Sequence, residues 1–253
     1  MLLSDPPPTQ GDLHFRFLGF PVRIHPFFWI AGLLLGPWQS REESVVMLML
    51  LWIVAFFVSI LVHELGHAAV MRAYGFRPWI TLYGLGGMAS RNAGEFDRSK
   101  GSEPAGQIII SLAGPGAGFL LAASVAGIVL ASGHQVELRF GGSYGIGAVT
   151  DLLNSTRLTA FVWYLLNVNI LWGILNLMPI YPLDGGKIAR ELFLLANPHE
   201  GIQRSLWLST IAATVIAVYL LMGMHVYATL LFGYLAYGSY KTLQAYTNQR
   251  GPW

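Results

Sequence analysis

The chain of 253 residues contains no cysteine. This absence excludes disulfide bonds, a thiol nucleophile and every zinc site that uses thiolate ligands. A metal ion bound by this chain must therefore be held by nitrogen and oxygen atoms.

Charge is also scarce. Charged residues make up 11% of the chain and hydrophobic residues 54%, and the mean hydropathy is +0.53. This composition is too apolar for an ordinary soluble domain and predicts a polytopic membrane protein. The formal net charge is only +2 and the basic residues are dispersed. We therefore expect no nucleic-acid partner.

The N-terminus lacks the basic region of a cleavable signal peptide. Asp5 and three consecutive prolines stand where that region should be. We therefore expect the first apolar stretch to be retained in the mature protein.

Apolar stretches of about 20 residues predict an all-α polytopic fold with six membrane-spanning helices. The whole chain, 1–253, is expected to form one membrane-embedded domain. Its core helices are predicted at about 45–74, 107–132 and 158–186, and its flanking helices at about 24–38, 205–222 and 225–240.

The loops between these helices carry their basic residues unequally. With a cytoplasmic N-terminus, the inside segments hold 12 of the 15 Lys and Arg residues and the outside segments hold 3. The positive-inside rule then predicts that both termini are cytoplasmic. The chain has few residues outside the predicted helices and no eukaryotic sorting signal, which favours the inner membrane of a prokaryotic cell.

The most informative motif is His63-Glu64-Leu65-Gly66-His67, at the end of an uncharged apolar run that begins at Val45. In a helix the two histidines lie one turn apart on one face, where both imidazoles can bind one metal ion. Each ionisable group near mid-bilayer costs roughly 2.5 to 3.5 kcal/mol on insertion scales, so a cluster of three predicts a functional site.

A second group of polar residues ends the fourth predicted helix, from Asn176 to Gly186. Two prolines must stop that helix, and the paired glycines allow an extended turn, so Asp184 is expected on irregular backbone. Such backbone is tolerated at membrane depth only inside protein or beside a watery cavity. Two histidines and one carboxylate, with a fourth position left for water, make a catalytic zinc set.

The pairing of His63-Glu64-x-x-His67 with Asn176-x-x-Pro179-x-x-Pro182-Leu183-Asp184-Gly185 resembles the site-2 protease family of intramembrane zinc metalloproteases. Two further motifs are similar to that family: the small residues Gly114 to Gly118, and the glycines Gly84, Gly86 and Gly87 of a membrane-associated hairpin. The resemblance implies that His63, His67 and Asp184 bind one Zn²⁺, that Glu64 is the catalytic base, and that Asn176 lies near the scissile carbonyl.

The resemblance also suggests a minimal-core member. The outside segment 133–156 is too short for a PDZ domain, and the residues after Lys241 leave no room for a CBS domain. Regulation, if any, is then expected to come from a membrane partner or from the substrate.

The implied activity is hydrolysis of peptide bonds within or near transmembrane segments of other membrane proteins. Zinc would activate water, and Glu64 would accept its proton. Segment 78–84 is rich in strand formers and ends in glycine, so we expect a small re-entrant β-hairpin after the second helix. Its strand is predicted to pair with an extended substrate. The substrate-binding residues expected here are Ile80, Leu82, Gly84, Gly86 and Gly87.

Two other functions fit the motifs: a metal-binding membrane scaffold without proteolytic activity, and a metal transporter. The intact Glu64 argues against a scaffold, and a single ligand cluster without an internal repeat argues against a transporter. Close helix packing is favoured for Gly114 and Gly118, and interhelical hydrogen bonds for Asn167 and Asn169. The remaining histidines lack ligand spacing and are expected at interfaces or surfaces: His14, His25, His134, His199 and His225.

Overall fold

A computed structural model describes residues 6–38, 44–84, 86–91, 100–140, 146–150, 153 and 155–250. The helices are α1 (Pro26–Leu34), α2 (Val45–Ala73), α3 (Pro104–Ala131), α4 (Thr156–Asn176), α5 (Asp184–Ala196), α6 (Gly201–Met222) and α7 (Val226–Arg250). The strands are β1 (Leu13–Phe17), β2 (Phe20–Ile24), β3 (Trp79–Tyr83), β4 (Gly86–Ser90), β5 (Val136–Phe140) and β6 (Ile146–Thr150).

The chain divides into two compact units. The first comprises Met1–Asp97 and Ala113–Ile174, and the second comprises Arg98–Leu112 and Leu175–Trp253. The expected single domain over residues 1–253 stays a prediction.

Within the described residues, four helices are long and apolar enough to cross a membrane: α2, α3, α4 and α6. These helices make the chain an integral membrane protein. The expected first crossing, 24–38, differs from the structure, because Ile24 ends β2 and α1 has only nine residues. A helix of that length rises about 14 Å, half of a hydrocarbon core of about 30 Å. Helix α7 contains the expected sixth crossing but is not among the four.

Strands β1 to β4 form one sheet in that order. Strands β1 and β2 are antiparallel, β2 and β3 are parallel, and β3 and β4 are antiparallel. The hairpin expected after the second helix is thus present as β3–β4, and its depth in the membrane stays a prediction. The N-terminal hairpin β1–β2 was not predicted, although Leu13 to Phe17 alternates apolar and basic side chains, a pattern typical of a strand.

The core of the first unit lies between this sheet and helices α1 and α2. Ile80 and Leu82 of β3 are fully buried. Both belong to a cluster that also contains residues from β2, α1 and α2: Val22, Ile24, Phe28, Phe56 and Ile60. The side chains of Ile80 and Leu82 therefore stabilise the fold instead of facing a substrate.

Helices α2 and α4 are joined by a buried hydrogen bond one turn before His63. The Asn169 amide nitrogen donates to the Ser59 hydroxyl at 2.8 Å and to the Leu165 carbonyl at 2.7 Å. The expected interhelical hydrogen bond is confirmed for Asn169. The amide nitrogen of Asn167 donates within its own helix, to the Trp163 carbonyl.

We expect Leu82→Ala to destabilise the protein by about 2–5 kcal/mol, because truncating a buried leucine leaves a cavity. Thermal unfolding of the purified protein in detergent measures this loss. The matched control is Leu120→Ala, since Leu120 is 71% exposed. Equal unfolding temperatures for the two variants would contradict the core position of Leu82.

Candidate metal centre

The two histidines of α2 are close enough to share an ion. Both are buried, and the Nε2 atoms of His63 and His67 lie 3.2 Å apart. Two zinc–nitrogen bonds at a tetrahedral angle place their nitrogens about 3.3 Å apart. The pair therefore fits one Zn²⁺ ion.

Glycines create the space around this pair. A Cβ atom added at Gly114 of α3 would lie 2.7 Å from Nε2 of His63 and even closer to the ring of His67. A Cβ at Gly66 would overlap the Ala113 carbonyl and lie 2.7 Å from the Cβ of Ala117. The expected close helix packing is thus found between α2 and α3. The missing side chain at Gly114 also leaves room for an ion beside the histidine nitrogens.

The Glu64 carboxylate lies against strand β4. Glu64 is 5% exposed, and a Cβ at Gly87 would lie 2.8 Å from both its Cδ and its Oε1. A Cβ at the neighbouring Gly86 would lie 3.0 Å from the ring of Trp172 on α4. Side chains at either position would push the strand away from α2 and α4, so both glycines bring β4 close to Glu64.

Asp184 belongs to the second unit and is 3% exposed. It is the first residue of α5, whereas we expected irregular backbone there. The irregular part is 177–183, and a Cβ at Gly185 or Gly186 would overlap its backbone. The paired glycines therefore let that segment pack on the first turn of α5. The ammonium group of Lys187 donates to the Asp184 carboxylate at 3.0 Å.

The segment that precedes Asp184 is held by two serines. The backbone N–H of Tyr181 donates to the Ser209 hydroxyl on α6, and the Ser239 hydroxyl on α7 donates to the Tyr181 carbonyl, each at 3.0 Å. Ile180, fully buried, packs in the core of this unit. Asn176, the last residue of α4, is 8% exposed in the same unit.

The residues expected to bind substrate are divided between strand β3, strand β4 and the turn that joins them. Strand β3, which holds Ile80 and Leu82, has β2 on one side and β4 on the other. Its backbone is therefore occupied along both edges, and a substrate cannot pair with it. Gly84 lies in the turn at φ +52°, and Gly86 and Gly87 lie on β4. Strand β4 is the last strand of the sheet, and among the described residues no strand pairs with its outer side.

The structural role of His25 was not predicted from the sequence. Its Nδ1 caps α1 by accepting from the backbone N–H of Phe27 at 3.2 Å, and the backbone N–H of His25 donates to the Leu82 carbonyl at 2.9 Å. His25 therefore joins α1 to the sheet and is buried. The Pro26 that follows was the available signal, because proline favours the first position of a helix.

The apolar helices and the histidine–glutamate site define the class of a membrane metallopeptidase. Residues 51–220 match the model of peptidase family M50. The chain therefore belongs to this family, that of the site-2 proteases.

Similar proteins include a zinc metalloprotease of Methanocaldococcus jannaschii, 26% identical over 83% of this chain and 53% of that protein. Stage IV sporulation protein FB of Bacillus subtilis is 28% identical over 72% of this chain and 51% of that protein. The chain thus spans about half the length of these relatives. Family membership, together with the fit of the histidine pair, identifies the cofactor as Zn²⁺.

The fold resembles that of the site-2 protease from Methanocaldococcus jannaschii, with a TM-score of 0.56. The two chains are 20% identical, and the match covers 92% of this chain and 95% of the other. At that identity the likeness shows a shared fold.

We expect Gly114→Ala to weaken zinc binding at least tenfold, since the new methyl group would occupy the space beside both Nε2 atoms. Zinc content and chelator competition measure the effect. Gly116→Ala is the matched control, because a Cβ there would meet no described atom within 4 Å apart from the neighbouring backbone of its own helix. Unchanged zinc affinity in Gly114→Ala would show that the ion does not bind on the Gly114 side of the histidines.

Proposed function

We propose that this chain is an intramembrane zinc endopeptidase that hydrolyses peptide bonds within or near transmembrane segments of membrane-protein substrates. In this proposal His63, His67 and Asp184 hold one Zn²⁺, Glu64 is the general base, and Asn176 donates a hydrogen bond to the developing oxyanion. The observation that carries the proposal is the contact between the Glu64 carboxylate and Gly87 on the open-edged strand β4.

Catalysis needs a nucleophile and a proton carrier. Bound zinc lowers the pKa of water toward 7 and polarises a carbonyl. Glu64 follows His63 on α2, and in this proposal its carboxylate reaches the water bound beside the histidine pair. It can accept the proton of the attacking water and later deliver it to the leaving amine. An intact base in this position favours the peptidase over a scaffold.

Substrate binding is proposed at the outer edge of β4. An extended peptide pairs with such an edge through its backbone, as in β-strand addition. Gly86 and Gly87 have no side chains that would hinder a second chain. Pairing there would bring the peptide backbone beside Glu64, and the new hydrogen bonds would offset the unwinding of a helical substrate.

The cellular setting is part of the proposal. We propose a prokaryotic inner-membrane protein with both termini in the cytoplasm, and the loop charges, counted for the six predicted crossings, favour that orientation. The relatives named above come from an archaeon and a bacterium, which agrees with a prokaryotic host. Regulation is proposed to come from a membrane partner or from the substrate itself.

Glu64→Gln tests the catalytic role. We expect it to lower cleavage of a membrane-spanning peptide by about 10²-fold or more while zinc stays bound, because the amide cannot accept the proton. Glu191→Gln is the matched control, since Glu191 is also a buried glutamate and pairs with Arg190. Wild-type cleavage by Glu64→Gln would refute the mechanism, and metal flux through proteoliposomes without cleavage would favour the transporter.

A proline scan from Met88 to Ser90 tests the substrate edge, because a Cβ atom at Gly86 or Gly87 would itself displace the strand. Successive N–H groups of an edge strand point alternately to its neighbour and to the open side. At the positions whose N–H points to the open side, proline removes a donor to the substrate but none to β3. We therefore expect these alternate positions to lose cleavage and to keep their thermal stability. The positions between them should lose stability as well, because they donate to β3. A scan in which no position loses cleavage while staying stable would disprove pairing at β4.

A further inference from the structure

Strand β1 has one apolar and one basic side. Successive residues of a strand point to opposite faces, so Leu13, Phe15 and Phe17 share one side, and His14 and Arg16 share the other. The three apolar side chains are 54%, 37% and 43% exposed. An exposed apolar edge strand invites aggregation in water. We therefore expect this surface to contact an apolar environment outside the protein.

The register shows which way the two sides face. Leu13 pairs with Ile24 and Phe15 pairs with Val22, and both partners are buried in the cluster that includes Phe28 of α1. Directly paired side chains lie on the same face of a sheet. The apolar side of β1 thus continues the helix-facing side of the sheet, and its basic side faces away from α1 and α2.

The turn of this hairpin is attached to the end of a membrane span. A guanidinium nitrogen of Arg72 donates to the Leu18 carbonyl at 3.2 Å, and the guanidinium carbon lies 3.3 Å from the ring centre of Phe20. Arg72 is the penultimate residue of the 29-residue α2. Arginine at the end of an apolar span is typical of the membrane boundary, where its charge reaches the headgroups. At that boundary the contacts of Arg72 would hold the hairpin at headgroup depth.

The basic side of the sheet contains an open cavity of about 420 Å³. Its lining combines polar and basic side chains with apolar residues: His14, Arg16, Arg23 and Trp79, together with Phe15, Pro21, Val22 and Ile80. Arg23 is paired with Asp12 at 3.5 Å. Asp12 is the only acidic residue between positions 6 and 24, so Arg16 adds positive charge that the described part of the hairpin does not neutralise. Arginine binds phosphate well, and tryptophan favours the membrane interface.

We propose that the β1–β2 hairpin lies in the headgroup layer at the C-terminal end of α2, and that its cavity binds the phosphate of an anionic phospholipid. The apolar side of β1 then contacts the acyl chains, while Arg16 reaches the phosphate. This proposal depends on membrane insertion and not on proteolysis.

Lipid retention by the full chain in detergent tests the binding site. We expect native mass spectrometry to show phosphatidylglycerol retained in preference to phosphatidylcholine. Arg16→Gln should weaken that preference about fivefold, the contribution of one basic residue near an anionic surface. Arg16→Lys should keep most of it. The matched control is Arg204→Gln, an exposed arginine paired with Glu200, which should leave it unchanged.

Three results would overturn the proposal: equal retention of both lipids, an equal loss in Arg16→Gln and Arg204→Gln, or binding of soluble glycerol phosphate as tight as that of the lipid. The last result would indicate a site for a free phosphate instead.

The absence of cysteine allows a second test, because each introduced cysteine is unique. Nitroxide labels at Phe15→Cys and His14→Cys are compared in vesicles containing phosphatidylglycerol. We expect the Phe15 label to be relaxed by lipid-dissolved oxygen and the His14 label by an aqueous nickel chelate. Equal exposure of both labels to the nickel chelate would place the hairpin in water and overturn the proposal.

Discussion

Three ionisable side chains are buried on one apolar helix, and the surrounding structure depends on how that burial is accommodated. His63, Glu64 and His67 lie within two turns of α2, and each is nearly completely removed from bulk water. Their desolvation is offset only if polar partners or a cation satisfy them. The histidine pair meets this condition by converging on a spacing that one zinc ion fits. A bound ion would thus contribute to the stability of the fold as well as to the chemistry.

Glycines determine how closely the other elements approach this helix. Gly66 allows contact between α2 and α3, Gly114 places no side-chain atom of its own against the histidines, and Gly87 brings β4 to the Glu64 carboxylate. Each of these positions is excluded to other residues by a neighbour that lies in the place of a Cβ atom. The glycine-rich character of the core motifs therefore reflects close approach, and backbone freedom matters mainly in the turns, such as at Gly84.

The part of the site that follows from local spacing was predictable. The relation of His63 to His67 depends only on the helical repeat, so the motif alone located the pair. The strand pairings depend on contacts between segments far apart in the chain, and the sequence did not reveal that β2 occupies one side of β3. Ile80 and Leu82 were consequently assigned to the substrate, although they are core residues. The start of α5 at Asp184 was missed because its paired glycines suggested a turn, whereas in the structure they admit the backbone of residues 177–183.

The four-stranded sheet relates the catalytic base to the surface at its other edge. Strand β4 contacts Glu64, and β1 carries the exposed apolar and basic sides, with β2 and β3 hydrogen-bonded between them. Because the pairing of β2 with β3 fixes their relative position, an anchor on the first hairpin constrains the orientation of the second. A substrate strand added to β4 would extend the same sheet, so its alignment with Glu64 would depend on how firmly β1 and β2 are held. The N-terminal hairpin thus acts as a support for the edge at which we propose that the substrate binds.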